Sequence, residues 1–84
     1  MRQHHTLKLK DEYWNEVFEG RKTFEIRKND RNFKRSDTVS FIRIRTNESV
    51  LPEGLFIITY VYSGELMPDD YVVFAMVPVS GEYL

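Results

Sequence analysis

The chain contains no cysteine. Disulfides, thiolate nucleophiles and cysteine–zinc sites are therefore excluded, which fits a reducing compartment. No run of about 18 apolar residues occurs, so no membrane span is expected. The start, Met1-Arg2-Gln3-His4-His5, lacks the apolar core of a signal peptide, and a cytoplasmic protein is the default expectation. Glycine-rich phosphate loops are missing, because Gly20 stands alone. His4 and His5 are the only histidines. Being adjacent in an extended start, their side chains should diverge, and no third ligand is evident. No metal, no cofactor and no Ser–His–Asp arrangement is expected.

Lysine and arginine are also missing from the second half. All 12 lie between Arg2 and Arg45. Residues 1–46 set them against 7 acids, for a balance of +5. Residues 47–84 have 6 acids and no base, for −6. The net charge of −1 thus hides a dipolar distribution. Arg21 to Arg35 alone holds seven bases against Glu25 and Asp30. A local cluster of this kind can be an anion footprint. It can equally be one of two complementary halves carrying solvated charge.

What is present is enough for one domain over residues 1–84. With 42 % hydrophobic and 14 % aromatic residues, the chain can build a core and is not a disordered tail. At this size it buries roughly 60–65 % of its unfolded surface and is modestly stable. His5 to Leu9 alternates weakly and reads as a first strand. Asp11 is a candidate N-cap for a helix over Glu12 to Glu19. Tyr13, Trp14, Val17 and Phe18 make one apolar helical face, with a cleft edge as the alternative for Tyr13 or Trp14. Gly20 stands where a left-handed residue ends a helix.

Thr23 to Lys28 is a second strand, and Asn29 to Asp37 a polar loop. Thr38 to Arg45 is a third, whose alternation breaks between Val39, Phe41 and Ile42, Ile44. A bulge near Phe41 explains the break. Residues 46–53 form a connection. Leu55 to Tyr62 and Tyr71 to Val79 are further strands, with Pro78 limiting pairing at the end of the last. Five strands and one early helix give a mainly β chain. Strands apolar on both faces favour a small, strongly curved five-stranded barrel. Phe24, Ile26, Val39, Ile57 and Phe74 are the predicted interior.

The second strand carries the most information. A strand has period two. Thr23, Glu25 and Arg27 therefore share one face; Phe24 and Ile26 share the other. The apolar pair is expected to anchor the strand, and the polar row to be displayed with Lys22 just before it. Glu25 and Arg27 stand roughly 7 Å apart on this geometry. They form either an exposed ion pair worth about 0–1 kcal/mol or the floor of a polar cleft. Arg31, Lys34 and Arg35 lie on the following loop, where phosphate contact and simple solvation are both readings. Phe33 is either a stacking platform for a base or a plug returning to the core.

Gly20-x-Lys22-x-x-Glu25-x-Arg27 resembles the signature of ASCH (activating signal cointegrator homology) domains, small PUA-like β-barrels. The run Thr23 to Arg31, with Phe33, is similar to one compact bacterial and phage branch of unknown function. His5-x-Leu7-Lys8 and Asp70-Tyr71-Val72-Val73 also fit that branch. Its usual Gly-Asp before the third strand is Ser36-Asp37 here, and residues 46–54 are short compared with larger ASCH proteins. The resemblance implies a PUA-like barrel with a cleft between helix and barrel, and RNA binding. Some relatives are amidohydrolases that deacetylate acetylcytidine. They share the lysine matching Lys22 but have threonine where this chain has Glu25.

Three readings follow. The first is an RNA-binding module whose face is the helix, the Lys22–Arg27 strand and the loop, with Lys22, Glu25, Arg27, Lys28, Arg31 and Lys34 as candidate binding residues. The second is a hydrolase acting on a modified nucleoside, or a site for a small nucleoside-like ligand. The third is a protein-interaction module whose acidic half meets a basic partner. Pairing with Arg27 would make Glu25 a poor base near neutral pH, which favours recognition over catalysis.

Overall fold

A computed structural model describes residues 1–45 and 51–79. The described chain runs β1 (His4–Lys10), α1 (Asp11–Phe18), β2 (Phe24–Lys28), β3 (Thr38–Ile44), β4 (Glu53–Tyr62) and β5 (Tyr71–Pro78). The expectation of a mainly β fold with one early helix holds. The connection over residues 46–50 and the tail 80–84 lie outside the described residues.

The strands form one mixed sheet in the order β1-β3-β4-β5-β2, curled into a half-barrel. β1 pairs parallel with β3; the other three pairings are antiparallel. β1 and β2 are therefore the two edges. Curling turns them toward each other, and the gap is bridged by side chains. Arg27 on β2 donates from Nη2 to the carbonyl of Lys8 on β1 at 2.8 Å. Arg31, just after β2, donates from Nη1 to the carbonyl of Thr6 at 3.1 Å.

The expected irregularity in β3 is a register shift between Val39 and Phe41. Val39, Ser40 and Phe41 are all buried in succession. The Ser40 hydroxyl donates to the Gly54 carbonyl at 2.6 Å, so the inward turn leaves no orphaned polar group. Inside the curl lie Leu7, Leu9, Val39, Phe41, Phe56, Ile58, Val72, Phe74 and Met76. Trp14 and Val17 of α1 cover them from one side, with Trp14 stacked on Phe18 at 4.3 Å. Phe33 comes from the loop after β2 as a core plug, 4 % exposed, 5.0 Å from the Phe74 ring.

Three expectations are corrected. Asp11 is the first helical residue and Lys10 takes the N-cap position without a side-chain bond; the Asp11 carboxylate instead pairs with Arg43 of β3. Phe24 and Ile26 point away from the core, 42 % and 54 % exposed, while Glu25 between them is 3 % exposed. An edge strand can carry an inward charge, which discourages pairing with another chain; here two cations compensate it. In β4, Phe56 and Ile58 are buried, and Ile57 is only half-buried. Val39 and Phe74 are inside as expected.

Candidate functional site: a cleft between the two edge strands

The cleft begins with the short chain between α1 and β2. Gly20 adopts φ 81°, a left-handed turn that costs glycine little. The amides of Arg21 and Lys22 both donate back to the Glu16 carbonyl, at 2.9 and 2.7 Å. This turn aims Lys22 at the start of β2. Arg21 is spent locally: its guanidinium bonds Glu16 and Glu19, each at 2.8 Å. The Arg21 hydrogen bond, reinforced by its charge, holds the Glu16 carboxyl below the usual range.

Glu25 is the hub. One carboxylate oxygen, Oε1, accepts from Nζ of Lys22. The other, Oε2, accepts from Nε of Arg27 at 2.8 Å, with Nη2 also 2.8 Å away. Lys22 donates in addition to the Phe24 carbonyl at 2.9 Å. Its ammonium lies 5.2 Å from the Tyr13 ring centroid and 5.0 Å from that of Phe24, within cation–π reach. A buried carboxylate alone would be costly; two charge-assisted partners stabilise it.

Around this triad opens a cleft of about 570 Å³ between the edges of β1 and β2. Its apolar walls include Tyr13, Phe24, Ile26 and Ile44; Lys8 and Lys10 of β1 add to its charge. The size falls in the range of small-molecule sites, roughly 300–1,000 Å³. Among the described residues, four cations line it against one carboxylate, Glu25. A smaller notch of about 230 Å³ continues along the same seam, lined by Arg27, Lys28, Asp30, Arg31, Leu7 and Phe33. Arg27 lines both.

Of the sequence-predicted residues, Lys22, Glu25 and Arg27 meet in the cleft, and Lys28 and Arg31 in the notch. Lys34 lines neither; its backbone amide donates to Asp37 at 3.0 Å. The helix contributes Tyr13, and the loop Asp30, Arg31 and Phe33. Lys8 and Lys10 were not among the predicted residues. Their signal was the alternation of Lys8 and Lys10 with Leu7 and Leu9, which puts both lysines opposite the core.

A second polar centre also escaped prediction. His5 is buried, with Nε2 2.9 Å from Oδ2 of the buried Asp37. His4 diverges from it, as expected, toward the Thr38 hydroxyl at 2.7 Å. Asp37 also accepts the amides of Gln3 and Lys34, each at 3.0 Å. Burial pushes the Asp37 carboxyl up. The His5 hydrogen bond and the two amides outweigh this and hold it below the usual aspartate range. The pair ties the start of β1 to the turn before β3; it lines neither the cleft nor the notch. Among the described residues no cluster of three or more metal-ligating side chains occurs. Nor is any helix there long and apolar enough to cross a membrane.

The chain belongs to the family described as a domain of unknown function, DUF3850, whose model matches residues 4–76. No curated protein matches it.

Proposed function

We propose that this DUF3850 domain binds single-stranded nucleic acid through the cleft between β1 and β2. The observation that carries the reading is the placing of Tyr13 and Phe24 beside Lys8, Lys10, Lys22 and Arg27. A base has a π-face for the exposed rings, and stacking contributes about 1–3 kcal/mol per base in single-strand binders. The cations give the phosphates a partner whose strength falls with salt. RNA is preferred through the resemblance to ASCH domains, and a cytoplasmic setting goes with it. Glu25 serves by fixing the cations: it holds Lys22 against Tyr13 and Arg27 toward β1.

A second reading is favoured by the cleft's volume. A nucleoside-like molecule fits 570 Å³, so a free modified nucleoside is the alternative ligand, with hydrolysis its enzymatic form. The test is fluorescence anisotropy with a labelled ten-nucleotide RNA across a salt series. Binding that weakens with a log–log slope of about −0.7 per phosphate supports the strand reading. No binding at low salt, together with saturable binding of a free nucleoside, replaces it with the second.

A further inference from the structure

The two arginines that bridge the seam are spaced by β1. Arg27 is held on the Lys8 carbonyl and Arg31 on the Thr6 carbonyl. Those carbonyls are two residues apart on one strand, roughly 6.5–7 Å by strand rise. That is commensurate with the phosphate repeat of an extended sugar–phosphate chain. The bonds described use Nε and Nη2 of Arg27 and Nη1 of Arg31. A guanidinium has five N–H donors. Among the described residues nothing bonds Nη1 of Arg27 or Nε and Nη2 of Arg31, which are left for a ligand. Lys28 lines the notch beside Arg31, and Asp30 opposes them as its one carboxylate.

We infer that the seam is a two-phosphate track, with Arg27 and Arg31 each receiving one of two consecutive phosphates of a single strand whose base lies in the Tyr13–Phe24 cleft. The inference rests on the proposed nucleic-acid reading and adds a ligand length to it. One phosphate engages half of the track. Two phosphates joined through a sugar engage both arginines. Two joined by an anhydride oxygen are too close together to do so. Fixed guanidiniums suit this role because their planar forks pair with phosphate geometrically as well as by charge.

The experiment compares three ligands on the full chain: adenosine monophosphate, adenosine diphosphate, and the 5′-phosphorylated dinucleotide pApA. The expected result is at least tenfold tighter binding of pApA than of the monophosphate, with the diphosphate within about threefold of the monophosphate. Arg31→Gln and Lys28→Gln should each lower the pApA-to-monophosphate ratio. Lys28 makes no seam bond, so its variant guards against a folding defect in the first. Binding of pApA should weaken more steeply with salt than binding of the monophosphate, because one more phosphate contact is screened. A ratio near one, with a ten-nucleotide RNA still binding, overturns the track and spares the nucleic-acid reading. A diphosphate as tight as pApA also overturns it, because charge and not spacing would then decide. If neither the three ligands nor the RNA bind, the nucleic-acid reading falls and the track with it.

Discussion

The Arg27 guanidinium is shared between two masters: it pairs with Glu25 on its own strand and donates to the Lys8 carbonyl on the opposite edge. One side chain thus neutralises a buried carboxylate and closes the half-barrel where no backbone ladder runs.

Removing it should cost stability out of proportion to a surface residue. Breaking a buried ion pair from one side costs about 3–5 kcal/mol. The Arg27 side chain keeps 23 % exposure and Lys22 still faces Glu25, so Arg27→Met is expected to cost about 2 kcal/mol on the same scale. The double variant Glu25→Met/Arg27→Met should recover part of that loss, because the buried carboxylate is then gone and Lys22, 19 % exposed, keeps the Phe24 carbonyl. Urea denaturation measures both. A single variant within 0.5 kcal/mol of wild type would remove Arg27 from this role.

Ser36 tests the backbone. Its φ is 80°, in the left-handed region that disfavours side chains by about 1–2 kcal/mol. Its amide donates to the Ile58 carbonyl at 2.7 Å, so the turn is held against that strain. Ser36→Gly should stabilise by about 1 kcal/mol, after the extra freedom glycine gives the unfolded chain. A rise in Tm of roughly 4–8 °C is the corresponding readout. A fall would mean that the serine hydroxyl matters more than the backbone.

Asp37 predicts a pH dependence with a definite sign. Its folded carboxyl is held below the usual aspartate range by the His5 bond and the two amides, although burial alone would raise it. Its contribution to stability is therefore fully present above the unfolded value and lost as pH falls through the folded one. Asp37→Asn should be less stable than wild type at neutral pH. The gap should narrow as pH drops below about 4. Denaturation midpoints at pH 7, 5, 4 and 3 decide the matter, and a gap that widens in acid contradicts it.

On the proposed nucleic-acid reading, charge on β1 should govern the salt response of RNA binding. Lys8→Gln/Lys10→Gln is expected to flatten the log–log slope by about 1.4, two contacts at 0.7 each. Lys34→Gln should change it little, since Lys34 lines neither the cleft nor the notch. Equal slopes for the wild type and the double variant would move the phosphate path away from β1.

The elements were legible because period and punctuation carry them. Alternation marked β1 and β2, Gly20 marked the end of α1, and the broken phase at Phe41 marked the β3 bulge. Orientation was not legible in β2. Alternation says which residues share a face and leaves open which face is inside. Ranking Phe24 and Ile26 as interior assumed that charge stays out, and Glu25 reverses this because Lys22 and Arg27 reach it within three residues. In β4 the run Leu55 to Tyr62 is apolar on both faces, so its phase carried no information. Lys8 and Lys10 join the cleft only because curling brings β1 to β2, and His5 meets Asp37 across 32 residues. Alternation puts Lys8 and Lys10 on the face away from the core but cannot place them in a cleft, and the His5–Asp37 pairing has no local signal.

The last prediction separates recognition from catalysis. Amide hydrolysis needs an activated nucleophile or water, and a proton-transfer group within about 2.6–3.2 Å of the reacting atoms. Lys22 and Glu25 are the chemical candidates, and each is already engaged. The Lys22 ammonium donates to Glu25 and to the Phe24 carbonyl, between two aromatic rings. Both Glu25 oxygens accept from cations. To act as a base on water, Glu25 would have to give up one of these partners inside a site where it is 3 % exposed. Purified protein incubated with acetylcytidine is therefore expected to release no cytidine above background. Lys22→Ala is instead expected to weaken RNA binding several-fold, by freeing Glu25 to repel phosphate. Turnover that disappears in both Lys22→Ala and Glu25→Gln would make this cleft a hydrolase site.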